Sequence, residues 1–472
     1  MPLILGTNSI KDTGYDVANS LRLDDGGSEY LTRTVSSAGS NTKSTLSIWV
    51  KRGNLSLSNN TLFGWTTDGS NFYNIKFGNS SDVLDIRWRN SSTQANYTST
   101  EVFRDVSAWY HIVVAFDTSQ STASDRIKYY INGVQGSGLS GYPPQNETVL
   151  INNNSCVVRI ADSGFSNGYF DGYIAEAVHV DGQQLDPTSF GEFDADSPTI
   201  WKPIDVSGLT FGTNGFYLDF ENASSLGADV SGNSNNFTVN NLTSVDQSSD
   251  SCTNNFATLN PLYHYIGGAA LSEGNLKFTT SGNSSVGRGM STIRPESGKW
   301  YVECKIIDVT RFSFGLMNGN ETHSSQGGND TNSVIFGYDG GFFMTGGFTG
   351  YLSAPSNNDI VQLALDLDND LFWIGINDTW GNSATRTEIE NGTATNSGST
   401  DIGSQVPINT GAIGIFVEDN SGTGNNVCEI NFGSPSYSIS SSNSDGNGFG
   451  NFEYAPPSGY FSLCTKNLAE FG

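Results

Sequence analysis

Basic residues are scarce. Only 22 Lys and Arg stand against 48 Asp and Glu in 472 residues, giving a formal net charge of −26 and a pI near 4.3. Such a surface repels nucleic acid and anionic membranes and resists self-association. The charge therefore predicts a partner that is neutral or cationic, or that is held through divalent ions. A low pI also suits salty water, where screening weakens the self-repulsion. No apolar run approaches the length of a membrane span, which predicts no membrane insertion. Met1 runs into Pro2-Leu3-Ile4-Leu5-Gly6, without a basic n-region or a full apolar h-region, so no signal peptide is read. The five cysteines (Cys156, Cys252, Cys304, Cys428 and Cys464) are odd in number and form no CxxC pair. They argue against a disulfide framework and read as buried free thiols. His111, His179, His264 and His323 lie far apart and lack the i, i+4 spacing of a zinc helix. His111 and His179 alternate with apolar positions and read as strand surface residues. No Gly-x-Ser-x-Gly elbow, phosphate loop or helical stripe longer than about two turns is found.

What the chain does contain is Gly (55 residues), abundant Asn, Ser and Thr, and 12% aromatics, the composition of turn-rich β structure with aromatic cores. Period-2 alternation dominates. Leu46, Ile48 and Val50 alternate with Ser47, Trp49 and Lys51, and Tyr110, Ile112, Val114 and Phe116 mark another strand face. Asn132-Gly133 is a hairpin signal. A second alternating set includes Trp300, Val302, Cys304 and Ile306. Val361, Leu363, Leu365 and Leu367 run to a tight turn at Asp368-Asn369-Asp370, and Leu371 to Ile376 returns antiparallel. The fold class predicted is all-β, two tandem antiparallel β-sandwich domains. The first spans 20–200 and the second 263–472, closed by a Pro-Pro segment, Tyr454 to Tyr460, that caps or crosses the sandwich. Residues 201–262, rich in Ser, Asn, Asp and Gly but still carrying aromatics, read as an ordered connector packed against one or both neighbours.

The first domain resembles a concanavalin A-like jelly roll of laminin-G type. The residues carrying this are LSIWVKRG (Leu46 to Gly53), WYHIVVAFD (Trp109 to Asp117), KYYINGV (Lys128 to Val134) and FDGYIAEAVHVDG (Phe170 to Gly182). The second resembles a SPRY domain, on SGKWYVECKI (Ser297 to Ile306), VQLALDLDNDLFWIGIND (Val361 to Asp378), GAIGIFVED (Gly411 to Asp419) and CEINFG (Cys428 to Gly433). The whole arrangement is similar to tail-fibre and other virion-appendage proteins of marine bacteriophages. That similarity rests on PLILGTNSIKDTGYDVANSLRLDDG at the start, GTNGFYLDFENASSLGADVSGNSNNFTV in the connector and FEYAPPSGYFSLCTKNL at the close. It implies an adhesion or structural role on a virion assembled in the host cytoplasm and acting outside the cell. Residues 1–19 would then form an attachment segment, the partners would be other virion proteins and a host-surface glycan or protein, and the oligomer would be a trimer. A decoration subunit that binds no receptor is the structural alternative.

The enzymatic rival is a concanavalin-fold polysaccharide hydrolase or lyase. That chemistry needs two carboxylates about 5–5.5 Å apart for retention, and the family strand pattern is Glu-x-Asp-x-x-Glu. The match here is Glu192-Phe193-Asp194, with Ser197 in place of the second Glu, in what reads as a solvated acidic loop. The chain is therefore read as not an enzyme. Asp366, Asp368 and Asp370 have the spacing that opens a calcium loop, but the Gly and the distant Glu are missing, and the alternation makes them a hairpin. Asp117 and Asp125, flanking a Thr/Ser-rich turn, are the calcium candidates, because laminin-G domains often hold calcium near the sandwich rim. For a sugar, which stacks on an exposed aromatic face, the candidates are Trp65, Trp88 and Trp380, which lie near polar Gly/Asn-rich loops. The competing reading for each tryptophan is a core position.

Overall fold

A computed structural model describes residues 14–55, 60–78, 81–91, 93–165, 168–263, 269–280, 287–318, 333–344, 347–350, 352–393, 400–401, 412–419 and 425–472. These form two compact units, one ending at Thr253 and the other running from Asn254 to Gly472. The chain is mostly β, and antiparallel sheets build a sandwich in each unit.

In the first unit one sheet has the order β10 (Val134–Gln135), β9 (Ile127–Ile131), β8 (Tyr110–Asp117), β3 (Lys43–Arg52), β12 (Gly172–Asp181), β1 (Ser20–Leu23) and β17 (Gln247–Ser248). There β15 (Phe216–Leu218) also pairs with β12. The facing sheet has the order β16 (Thr238–Asn240), β2 (Tyr30–Thr34), β11 (Val157–Ile160), β4 (Asn60–Asp68), β5 (Asn71–Phe77), β6 (Val83–Asn90) and β7 (Thr93–Val102). The alternating apolar positions read from the sequence meet between the sheets: Leu46, Ile48 and Val50 from β3 and Ile112, Val114 and Phe116 from β8 join one core with Ile75 and Ile86. The Asn132-Gly133 hairpin forms between β9 and β10, with φ of +48° and +78°, as the tight primed turn requires.

The segment from Trp201 to Thr253, expected as a connector, is built into this sandwich. It supplies β15 and β17 to one sheet and β16 to the other. It also lays a second apolar layer on the outer side of the first sheet, where Trp49, Trp109, Tyr173 and Trp201 cluster and where Phe211 and Tyr217 cover Val113 and Val178. Residues of β3 that look solvent-facing by alternation are therefore buried. Lys51 is one, in an ion pair with Asp250 at 2.8 Å in which both side chains are 1% exposed, and Trp109 Nε1 donates to the same carboxylate at 3.1 Å. Within the expected attachment segment, Val17 is buried and its N–H donates to Thr253 Oγ1 at 3.1 Å, so residues 14–19 belong to the sandwich. Residues 1–13 lie outside the described residues.

Both described histidines are buried, which corrects their reading as surface positions. His111 lies under the second layer, stacked between Trp49 at 4.6 Å and Trp201 at 6.0 Å. The Trp201 indole N–H donates to His111 Nδ1 at 2.9 Å, so the ring proton sits on Nε2, 2.8 Å from Ser47 Oγ. Burial holds the imidazole neutral, with its pKa pushed down to about 3. His179 faces the inner core against Trp65 and Phe216, and burial lowers it to about 4. His264 and His323 fall outside the described residues.

In the second unit, among the described residues, nine strands form one sheet and six the other. Trp300, Val302, Cys304 and Ile306 point into its core with Leu363, Ile415 and Ile430. The sequence pattern puts Glu303 on the outer side of Lys299–Asp308, yet it is fully buried, because the closing segment lies over it. Its carboxylate accepts Tyr454 N–H at 2.8 Å, Glu453 N–H at 3.0 Å and the Tyr301 hydroxyl at 3.0 Å. The Pro-Pro segment thus caps a sheet face, and Tyr460 and Phe452 pack there against Trp373 and Tyr301. All five cysteines are free thiols, four of them buried and Cys252 partly so.

Candidate functional site

None of the three tryptophans offers a stacking face. Trp65 and Trp88 are 0% and 2% exposed in the core of the first sandwich, where Tyr73 lies between them at 5.8 and 6.2 Å. Trp380, 7% exposed, packs in the second unit with Trp373, Ile389 and Phe452. In each case burial of a large ring between layers outweighs the polar loop chemistry nearby.

The calcium candidates are engaged separately. Asp117 is buried; it accepts from Ser119 N–H at 3.1 Å, Ser119 Oγ at 2.6 Å and Gln120 Nε2 at 3.0 Å, and pairs with Lys43 Nζ at 2.9 Å. Burial alone would raise its pKa, but the Ser119 and Lys43 contacts outweigh it and hold the group below its usual range. Asp125 pairs with Lys128 at 3.1 Å. Each carboxylate has its own lysine, which leaves no shared oxygen cage. A different acidic trio does converge: Asp24, Asp25 and Asp171 each place one carboxylate oxygen within 4.8 Å of the others. Such oxygen donors suit a hard divalent ion, though acidic side chains also gather without one.

The rival catalytic pair lies on a small ribbon, β13 (Gly191–Phe193) with β14 (Trp201–Pro203). Lys202 Nζ sits 3.2 Å from Asp194 and 3.5 Å from Glu192. Asp194 is held below its usual pKa by the Ser197 N–H and by Lys202, the opposite of what a general acid needs. Asp366 pairs with Lys299 at 2.8 Å and Asp368 accepts the Gly298 N–H at 2.8 Å, so those carboxylates serve the hairpin.

The outer face of the second sheet is different. Alternation sends Tyr73, Ile75, Leu84 and Ile86 inward and turns the residues between them outward. Register then aligns these outward residues in rows. One row reads Arg159, Gly64, Asn74, Arg87 and Asn96 across β11, β4, β5, β6 and β7; the next pairs Lys76 with Asp85; the third pairs Phe72 with Arg89. Three neighbouring polar atoms on these rows have no hydrogen-bond partner although they are buried: Asn74 Oδ1, Asp85 Oδ1 and Arg87 Nε. Such groups cost about 1–3 kcal/mol each when left unpaired. The inner side of the same strands has a comparable row at Trp65, Tyr73 and Trp88, enclosed in the core, whereas this one lies on the outer side.

The surroundings keep these atoms in place. The Arg87 guanidinium lies over the Phe72 ring at 5.4 Å, and Phe165 meets that ring edge-on at 5.2 Å. Lys76 Nζ is 4.0 Å from Asp85 Oδ2, the outer limit of an ion pair. Burial lowers the Lys76 pKa and raises that of Asp85, so desolvation outweighs their attraction. Gly64 keeps the row flat: a Cβ there would meet the Asp162 carbonyl oxygen at 2.8 Å and Asn74 Oδ1 at 3.1 Å. Chemically this is a floor of fixed donors and acceptors beside an aromatic ring, the kind of surface that takes a hydroxyl-rich ligand. Alternation already put these residues on the polar side of strands. The hint that was missed is the density of long cationic side chains in Arg87-Trp88-Arg89 within an acidic chain.

Residues 25–183, about a third of the chain, match the family described as the Concanavalin A-like lectin/glucanases superfamily. No curated protein matches the chain in sequence. Among solved structures, the SPRY domain of human HERC1 is 13% identical with a TM-score of 0.28, covering 36% of this chain and 96% of its own. The heptameric SAP-like pentraxin from Limulus polyphemus is 14% identical with a TM-score of 0.27, covering 36% of this chain and 79% of its own. Domain 4 of AbnA, a GH43 extracellular arabinanase from Geobacillus stearothermophilus in complex with arabinotriose, is 16% identical with a TM-score of 0.26, covering 36% of this chain and 68% of its own. Similarity at this level carries no functional information.

Proposed function

We propose that the first sandwich is a carbohydrate-binding module whose ligand lies on the outer face of the β4–β5–β6–β7 sheet. The observation that carries this reading is the group of buried, unpartnered atoms at Asn74, Asp85 and Arg87 beside Phe72. Sugar hydroxyls donate and accept at once and would satisfy all three. The match of residues 25–183 to a lectin and glucanase superfamily supports the same reading. Binding without cleavage is part of the proposal, because Glu192 and Asp194 share Lys202 on a separate ribbon.

The wider role we propose is adhesion: an appendage subunit on a phage particle that presents this face to a host-surface glycan. Its support is the sequence resemblance at the start, connector and close of the chain. A glycan array probed with the full chain and with Asn74→Ala tests the binding. Retention on at least one glycan, weakened tenfold or more in the variant, is expected; no retention, or retention that Asn74→Ala leaves unchanged, would overturn it. Release of reducing ends from a bound polysaccharide would refute binding without cleavage. Immunogold labelling of particles with an antibody to this chain tests the virion role.

A further inference from the structure

The net charge of −26 predicts that anionic polymers are repelled, but the outer face just described departs from the chain average. Its rows carry Lys76, Arg87, Arg89 and Arg159. Of the carboxylates nearby, Asp162 is paired with Arg159 at 2.9 Å, and Asp85 faces Lys76 at 4.0 Å. Arg87 and Arg89 lie two residues apart on β6 and turn to the same side, one beside Asn74 and the other beside Phe72. Among the described residues, neither guanidinium is in an ion pair, and Arg87 Nε has no hydrogen-bond partner. Two half-buried guanidinium groups in a chain so poor in cations are costly to hold side by side unless something anionic joins them.

We infer that the ligand of this face is an anionic saccharide, bearing carboxylate or sulfate groups, and that Arg87 and Arg89 are its anion contacts. The inference rests on the carbohydrate-binding reading above and adds the class of sugar. A guanidinium presents a planar fork that matches a carboxylate or sulfate edge with two parallel hydrogen bonds. Alternate residues of a strand stand about 7 Å apart, so the two forks meet two separate anionic groups along a chain. Phe72, itself buried under Phe165, holds the Arg87 guanidinium from below, and the Asn74 and Asp85 oxygens accept from hydroxyls. The distant negative surface opposes this weakly, since exposed charges are screened beyond roughly 8 Å at 0.15 M salt.

The test is binding of the full chain at 0.15 M NaCl to three soluble polymers: a polyuronate, a sulfated galactan and a neutral β-glucan. At least one anionic polymer is expected to bind tenfold or more tighter than the neutral one. Arg87→Gln and Arg89→Gln should each weaken that binding at least tenfold while leaving the thermal melt in place, and Arg87→Lys should recover part of it. Which anionic polymer binds separates a carboxylate ligand from a sulfate ligand. Equal or tighter binding of the neutral glucan, lost in Asn74→Ala, would overturn the anionic inference and keep the carbohydrate reading. Anionic binding that neither arginine substitution changes would overturn the assignment of the contacts. No binding to any of the three, together with an empty glycan array, would remove the carbohydrate reading itself.

Discussion

Single buried titratable groups set the pH response. Glu303 is fully buried under the closing segment, and burial raises its pKa to about 7. Its folded pKa is above the unfolded one, so its favourable contribution is present below about pH 4.5 and is lost as pH rises through 7. The second unit should therefore melt at a lower temperature at pH 8 than at pH 5. Glu303→Gln should flatten that difference, by up to on the order of 3 kcal/mol; a slope unchanged in the variant would count against this assignment. Glu176 acts in the same direction in the first unit. It is held buried at φ +50° with its carboxylate 2.7 Å from the Tyr217 hydroxyl, and burial raises it to about 8. The histidines have the opposite sign. His111 and His179 are lowered to about 3 and 4, so the unfolded chain binds their protons first and stability falls as pH drops below about 6.5. In His111→Asn, the acid-side loss of stability should be smaller than in the wild type, read as melting temperature between pH 7 and pH 4.

The elements show what alternation can and cannot reveal. The inward rows of β3, β8 and β12 were legible because apolar side chains recur every second residue against a core. The same rule reports only which face a residue takes, not what covers it. Ser47, Trp49 and Lys51 look like a solvent face, yet the Trp201 to Thr253 segment lies over them, and that contact comes from more than 150 positions away in sequence. Trp65 and Trp88 illustrate the converse. Their flanking Asn and Gly residues suggested a loop platform, while the strands carry the rings inward. Trp88→Ala should cost about 3–5 kcal/mol in a denaturant titration of the first unit. Glycan retention well below the melting point should be unaffected, because the ring lies on the opposite side of β6 from Arg87 and Arg89. The site itself was half legible: register aligned its rows, but the missing hydrogen-bond partners appear only once the strands are paired.

For the whole molecule, the two-sandwich architecture followed from composition and strand spacing, whereas the first boundary falls at Thr253 because of particular ion pairs. Arg22 meets Asp246 at 3.2 Å and Lys51 meets Asp250 at 2.8 Å, all four side chains nearly or fully buried. Cutting after residue 200 would take both carboxylates away from buried cations, and breaking one such pair costs about 3–5 kcal/mol. A fragment of residues 14–253 should fold with a single cooperative melt, and one of residues 20–200 should be recovered unfolded or aggregated; a sharp melt for the shorter piece would refute this boundary. The same arrangement dictates timing. β1 leaves the ribosome long before β17, yet the two strands pair, and the Ser20 hydroxyl donates to the Asp250 carbonyl across a separation of 230 residues. At ordinary synthesis rates that partner arrives roughly 10 to 50 s later. Until then one edge of β1 is open to any passing strand, so chaperone binding during translation should be strongest while residues up to about 250 are still being made.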